Sequence, residues 1–182
     1  MAVGYYGKLP DRGDFVSRGI PLELEQAVHH LGSFLIAHGR DQHGDGFADI
    51  FADMPLYAMI AGPGGLIDRT IAGLFGPSAD GVGRLFPFFV LTDSPLTGDV
   101  IDAAAYTAAA DIVDRAAFER TPLDKVEEEL GEINLTAPDD CKGLWLAGWS
   151  VSGPTKRIHE FADLADTSTQ GLDRLLMGGG TE

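Results

Sequence analysis

The sequence contains a single cysteine, Cys141, so no disulfide can form within the chain. A lone thiol is typical of a reducing compartment, and the first residues show no basic stretch followed by the apolar run of a secretory signal. We therefore expect a cytoplasmic protein. The longest strongly apolar run, Leu85–Leu91, is too short to cross a bilayer and contains Pro87. Membrane insertion is not expected.

Basic residues are also scarce. The 182 residues include 13 Lys and Arg against 28 Asp and Glu, which gives a net charge of −15. Such a chain repels nucleic acid and anionic lipid, so neither is an expected partner. Hydrophobic residues make up 45% and charged residues 23%, which is typical of a folded domain. We expect one domain over residues 1–177 and a frayed tail over 178–182.

The negative charge is unevenly distributed along the chain. Residues 1–21 carry three basic and two acidic groups, whereas residues 99–140 carry three basic and twelve acidic groups. The N-terminal segment is therefore an island of positive charge in an acidic protein. Charge asymmetry of this kind suits an interaction surface better than it suits a requirement of the fold.

The hydrophobic pattern predicts helices in both halves of the chain. Pro21 fits the first turn of a helix, and apolar residues follow at the spacing of one helical face as far as Gly39. A shorter helix is predicted over Phe47–Met54, and Thr121-Pro122 can start another, with Glu127–Glu129 on its solvent side. An alanine-rich helix is predicted with Ile101, Ala105, Ala108, Ile112 and Ala116 on its apolar face. Closing helical structure is predicted from Leu164, Leu172, Leu175 and Leu176.

Short apolar runs between turn residues predict strands. Leu56–Ala61 is followed by a Gly- and Pro-rich turn, and Leu66–Phe75 can form the returning strand. Leu85–Leu91 has the composition of a strand buried on both faces, with a bulge or an edge position at Pro87, which cannot donate to the ladder. Leu144–Trp149 predicts a last strand. This order of elements predicts an α+β domain with a mainly antiparallel sheet flanked by helices.

Several stretches approach catalytic or binding motifs without completing them. Gly7-Lys8 lacks the earlier glycine and the following Ser or Thr of a phosphate-binding loop. Asp41–Gly46 begins like a calcium-binding loop, but Ala52 stands where the twelfth-position carboxylate belongs. Gly148–Gly153 misplaces the second glycine of a hydrolase nucleophile elbow, and His159–Asp163 lacks the second histidine of a zinc-protease motif. We expect no metal, no cofactor and no catalytic residues.

Two segments resemble the signatures of one protein family. The first signature is Gly4–Pro21, the second is Pro77–Pro87, and Pro55-Leu56-Tyr57 between them falls where the family has a proline followed by an aromatic residue. In order and spacing these segments are similar to the TagF (ImpM) family of type VI secretion-associated proteins. The resemblance implies a cytoplasmic, non-enzymatic negative regulator of type VI secretion assembly that acts after translation. It also implies a protein partner, a forkhead-associated scaffold protein of the system.

The charged and polar residues of the two signatures form the candidate site: Lys8, Arg12, Asp14, Arg18, Ser78, Asp80 and Arg84. One hypothesis is a partner-binding surface on which Lys8 is exposed to solvent. The other is an internal ion-pair network in which Arg12, Asp14, Asp80 and Arg84 join the two signature loops, and we expect these loops to be adjacent. Two further functions stay open. One is an enzyme or sensor that binds a phosphorylated or acidic small molecule at the N-terminal Gly/Arg loop, and the other is a structural accessory subunit of the secretion apparatus.

Overall fold

The computed structural model describes residues 3–98, 101–150 and 153–161, and the side chains of residues 3–98 and 101–148. The strands are β1 (Gly4–Gly7), β2 (Val16–Arg18), β3 (Leu56–Ala61), β4 (Ile71–Gly76), β5 (Phe88–Thr92), β6 (Leu96–Thr97), β7 (Thr136–Ala137), β8 (Leu144–Ser150) and β9 (Gly153–Phe161). The helices are α1 (Leu22–His43), α2 (Phe47–Ala52), α3 (Ala103–Phe118) and α4 (Leu123–Leu130), and a 3-10 turn over Gly44–Gly46 joins α1 to α2.

Seven of the strands form one sheet in the order β2-β1-β5-β4-β3-β8-β9, and each neighbouring pair is antiparallel. Strands β6 and β7 form a separate parallel pair. The predicted class, an α+β domain with a mainly antiparallel sheet, is confirmed. None of the helices in the described ranges is long and apolar enough to cross a membrane.

The sheet separates two apolar cores. Helices α1 and α2 pack on one face, and α3 and α4 pack on the other. In β3 the side chains alternate between them: Tyr57 and Met59 belong to the α1 core, whereas Ala58 and Ile60 belong to the α3 core. All six residues of β3 are therefore buried. A sheet covered on both faces gives the continuous apolar runs that predicted β3 from the sequence.

The segment around Pro87 differs from its predicted form. β5 begins at Phe88, so Pro87 precedes the strand and forms neither a bulge nor an edge position within it. β5 lies between β1 and β4 with both of its edges paired, and a proline inside it would remove a ladder hydrogen bond. The returning strand is also shorter than predicted, because β4 begins at Ile71 and residues 66–70 form turns and isolated bridges.

The first helix starts as predicted, directly after Pro21, but it continues past Gly39 to His43. Gly39 is a packing position rather than a stop: a Cβ there would lie 2.1 Å from Cε2 of Phe47, whose ring lies against the helix. The next helix, α2, ends at Ala52 rather than at Met54.

The alanine-rich helix was placed correctly, but its buried face was only partly predicted. Ile101 and Ala108 are exposed, and the core side of α3 includes Tyr106, Ala109 and Val113. Of the three glutamates expected on the solvent side of α4, only Glu128 is exposed, because Glu127 and Glu129 pair with residues of neighbouring elements. The closing helical structure predicted from Leu164, Leu172, Leu175 and Leu176 and the predicted frayed tail lie outside the described residues.

Candidate functional site

The two signatures meet in space through the loop that follows β1 (residues 8–15) and the loop before β5 (residues 77–87). Gly81 N–H donates to the Arg12 carbonyl at 2.7 Å, and the Ser78 hydroxyl donates to the Lys8 carbonyl at 2.8 Å. The Arg84 guanidinium donates to the Gly13 carbonyl at 2.6 Å. The expected adjacency of the loops is confirmed. We call these two loops together the loop junction.

Asp80 lies at the centre of the loop junction, with its side chain fully buried. Its Oδ1 accepts hydrogen bonds from the backbone N–H groups of Val82 and Arg84 at 3.1 and 2.9 Å. Its Oδ2 accepts from Lys8 Nζ at 3.1 Å and from Arg84 Nε at 2.6 Å. Burial raises the pKa of Asp80, but these four hydrogen bonds together outweigh it and hold the pKa well below its usual range. The carboxylate is ionised and fully hydrogen-bonded.

Lys8 does not reach solvent, and the prediction that it is exposed is wrong. Its residue surface is 7% exposed, and its ammonium pairs with Asp80 while lying 5.0 Å from the ring centroid of Phe15. The negative charge of Asp80 compensates for the desolvation of Lys8. Ser78 is buried as well, with its hydroxyl engaged on the Lys8 carbonyl. Lys8 and Ser78 therefore connect the two loops through buried hydrogen bonds.

The internal network is narrower than the four residues predicted for it. Asp80 and Arg84 belong to it, but the side chains of Arg12 and Asp14 are exposed. Arg12 Nε lies 3.6 Å from a carboxylate oxygen of Asp11, and Asp14 Oδ1 accepts a hydrogen bond from the N–H of Phe15 at 2.8 Å. Neither side chain crosses from one loop to the other in the described structure.

Arg18 lies apart from the loop junction, on the edge strand β2. Its guanidinium donates to Oε2 of Glu127 on α4, and the Tyr5 hydroxyl donates to Oε1 of the same carboxylate. The hydrogen bond from Tyr5 and then that from Arg18 lower the pKa of Glu127. Arg18 therefore helps to attach α4 to the sheet. Its partner is 109 positions away in the sequence, and no local pattern pointed to it.

An aromatic cluster was missed by the sequence analysis. Phe15 is 37% exposed, and its ring lies 5.5 Å from Tyr6, 5.3 Å from His29 and 4.8 Å from Phe86, measured between centroids. The Tyr6 hydroxyl and His29 Nδ1 are 2.6 Å apart, and burial raises the pKa of Tyr6 to about 12, with smaller contributions from Glu25 and Asp14. Phe15 belongs to the first signature and Phe86 to the second. The aromatic residues of the two signatures, rather than their charged residues, therefore indicated this cluster in the sequence.

The positive charge predicted for the N-terminal segment is largely compensated in the fold. Asp80 neutralises one of its two cationic partners, Glu127 pairs with Arg18, and Asp11 lies beside Arg12. The exposed surface around the loop junction therefore carries charges of both signs, and it is not a simple basic patch.

A groove of about 320 Å³ runs beside the second signature. It is lined by Pro10, Phe51, Ala52, Pro77, Ser78, Ala79, Asp80, Gly81, Gly83, Leu85, Ala117, Phe118 and Arg120. Among these residues the hydroxyl of Ser78 and the carboxylate of Asp80 are already engaged in hydrogen bonds. The lining thus lacks the free nucleophile and adjacent base that the enzymatic alternative requires.

A second cavity, of about 480 Å³, lies between β3, β8 and α3. Its walls include Ile60, Tyr106 and Leu146, and the half-buried thiol of Cys141 faces it. Burial raises the pKa of Cys141, which lowers its thiolate fraction at neutral pH. Over the described ranges, no group of three or more His, Cys, Asp or Glu side chains is placed to hold a metal ion.

Comparisons with known proteins agree with the fold and with the signatures. The family model of the TagF N-terminal domain, described as type VI secretion system-associated, matches residues 4–133. The crystal structure of PA0076 from Pseudomonas aeruginosa PAO1 is similar in fold, with a TM-score of 0.80 at 20% identity, over 100% of this chain and 96% of that one. No curated protein matches the sequence. The chain belongs to the TagF N-terminal domain family, which associates it with type VI secretion.

Proposed function

We propose that this member of the TagF N-terminal domain family is a non-enzymatic, cytoplasmic regulator that binds a protein partner and restrains type VI secretion assembly after translation. The family's association with type VI secretion supports the process. The observation that carries the binding role is the exposed face of the loop junction, formed by Arg12, Asp14, Phe15 and Arg84, which we call the loop face.

The loop face combines side chains that are typical of protein interfaces on a fixed backbone. Phe15 is anchored by stacking on Tyr6, yet more than a third of it is exposed, and the Arg84 side chain is 59% exposed although its Nε is held by Asp80. Aromatic residues and arginine are enriched where binding energy concentrates. Because the buried network fixes the backbone of both loops, a partner would not need to order them, and the entropic cost of binding is reduced.

The partner we propose is a forkhead-associated scaffold protein of the same secretion system. This choice rests on the resemblance of the two signatures to those of TagF proteins. The mixed charges of the loop face suit a partner surface that offers a carboxylate to Arg12 or Arg84 and an apolar side chain to Phe15.

The test is co-precipitation of the tagged chain with the forkhead-associated scaffold from the same cell, together with a measurement of type VI secretion. Arg12→Glu is expected to reduce the recovered scaffold and to relieve inhibition of secretion at an unchanged melting temperature. Arg40→Glu, at the exposed end of α1, makes the same charge change away from both signatures and is the matched control. Recovery of the Arg12→Glu complex at the wild-type level, with full inhibition of secretion, would refute the role of the loop face.

A further inference from the structure

The groove beside the second signature has apolar walls and a small volume. Phe51 of α2, which is 1% exposed, and Leu85 lie in it, and Ala117 and Phe118 from the last turn of α3 form the wall opposite the loop. Its volume of about 320 Å³ is at the lower end of the range for ligand pockets. This space suits one or two side chains of a peptide better than a nucleotide or another large cofactor.

One of the lining residues, Phe118, is a large apolar side chain that is 54% exposed. Val82 is 74% exposed and lies between the lining glycines Gly81 and Gly83, but it does not itself line the groove. A segment bound in the groove would cover the exposed ring of Phe118.

The groove lining includes Arg120, which is exposed. Its side chain makes no ion pair and no hydrogen bond within the described ranges, whereas Arg18, Arg84 and Arg115 each pair with a carboxylate. Its backbone has a φ of 56°, a left-handed conformation that residues other than glycine seldom adopt. Thr121 fixes this turn by donating from its N–H and its hydroxyl to the Arg115 carbonyl.

The charges around the groove decide where a ligand's own charge can lie. Asp80, the other charged residue of the lining, is engaged by both Lys8 and Arg84, so these three groups together carry a positive charge, to which Arg120 adds. Arg120 is the cationic side chain among the lining residues, and its guanidinium can donate hydrogen bonds to a carboxylate. A negative group of a ligand is therefore favoured on Arg120, although Glu119 and the C-terminal end of α3 lie beside it.

We propose that this groove binds a short extended segment of a protein partner, with an apolar side chain between Phe118 and the second signature and a neighbouring carboxylate on Arg120. The proposal rests on the proposed protein-binding function and adds to it a second contact surface with a defined chemistry. Because Arg120 forms no ion pair with another described residue, an ion pair with a ligand adds affinity without first breaking an internal one.

The test is selection of peptides from a displayed library of random dodecapeptides on the folded full chain. The enriched peptides are expected to share an apolar residue close in sequence to Asp or Glu. Their affinity for Arg120→Gly and for Phe118→Ser is expected to fall about tenfold or more, as loss of a charge-assisted contact or an apolar anchor predicts. Because glycine tolerates the left-handed backbone of residue 120, Arg120→Gly is expected to keep the fold at full stability.

Arg40→Glu, at the exposed end of α1 and outside the groove lining, is the control, and it is expected to bind the selected peptides as the wild type does. A library that yields no enriched peptide, enriched peptides without an acidic residue, or equal affinity for Arg120→Gly would each overturn the proposal. These failures are separable from failure of the proposed function, which is read from scaffold recovery and secretion with the loop-face variant.

Discussion

Ser78→Ala isolates one link between the two signatures, because the Ser78 hydroxyl donates at 2.8 Å to the Lys8 carbonyl across 70 positions of sequence. Ser78 is 7% exposed, so water cannot readily replace the lost donor and the Lys8 carbonyl keeps an unmet acceptor. Leaving a buried polar group unsatisfied costs about 1–3 kcal/mol. The methyl group of alanine fits where the serine side chain was, so no steric penalty is added.

This cost can be converted into a melting temperature. For a chain of this size, each kcal/mol shifts the midpoint by roughly 2–4 °C, so Ser78→Ala is expected to melt about 2–12 °C below the wild type. Circular dichroism melts give the midpoint, and urea titrations with an unchanged m-value would show that the folded and unfolded states keep their compactness.

The matched control is Ser33→Ala on the exposed side of α1, which is expected to stay within about 0.5 kcal/mol of the wild type. If Ser78→Ala melts with the wild type while Ser33→Ala behaves as expected, the hydroxyl does not hold the Lys8 carbonyl. The conclusion that this buried hydrogen bond holds the two signature loops together would then be refuted.

Three further predictions concern the fold that supports the loop face. Lys8→Glu is expected to lower the urea midpoint more than Lys8→Met, since it places a second carboxylate beside buried Asp80, and equal midpoints would contradict this. Because the folded-state pKa of Asp80 is depressed, the stability it contributes is present above its unfolded pKa of about 4 and is lost as the pH falls below it, so the difference in melting temperature between the wild type and Asp80→Asn is expected to shrink from pH 7 to pH 3. Gly39→Ala is expected to lower the melting temperature even though alanine favours helices, because its Cβ would lie 2.1 Å from a ring carbon of Phe47, and a rise would show that the ring can move away.

Elements that bury one complete apolar run or face were the predictable part of this fold. The apolar patterns of β3 and of the start of α1 extend over six residues or more, and both elements were located from the sequence. β1 and β2 were not predicted, since they have only four and three residues, and β5, which pairs with β1, lies more than 80 positions later in the sequence. Gly39 indicated a helix end in the sequence, and only the packing of Phe47 shows why a glycine lies inside the helix.

At the site, the sequence identified the loops but not the direction of their side chains. Opposite charges and glycines in both signatures were sufficient to predict that the loops meet. A lysine is buried where a carboxylate is buried beside it to compensate its charge. For Lys8 that carboxylate belongs to Asp80, 72 positions away in the sequence. The same limit applies to Arg18, whose partner Glu127 was expected on the solvent side of its helix.

The hydrogen bonds between the two loops are divided in a way that separates structural from functional side chains. Apart from Lys8, whose Nζ donates to the Asp80 carboxylate, the first signature contributes backbone carbonyls, those of Lys8, Arg12 and Gly13, and the second contributes the donors of Ser78, Gly81 and Arg84. A carbonyl accepts a hydrogen bond whatever side chain its residue carries, so the contacts across the junction leave the side chains of Arg12 and Asp14 unused. The contacts within the fold therefore account for four of the signature side chains, those of Lys8, Ser78, Asp80 and Arg84. They do not account for the side chains of Arg12 and Asp14, which are exposed on the same loop. That unexplained pair is the reason to place the partner contact on the loop face.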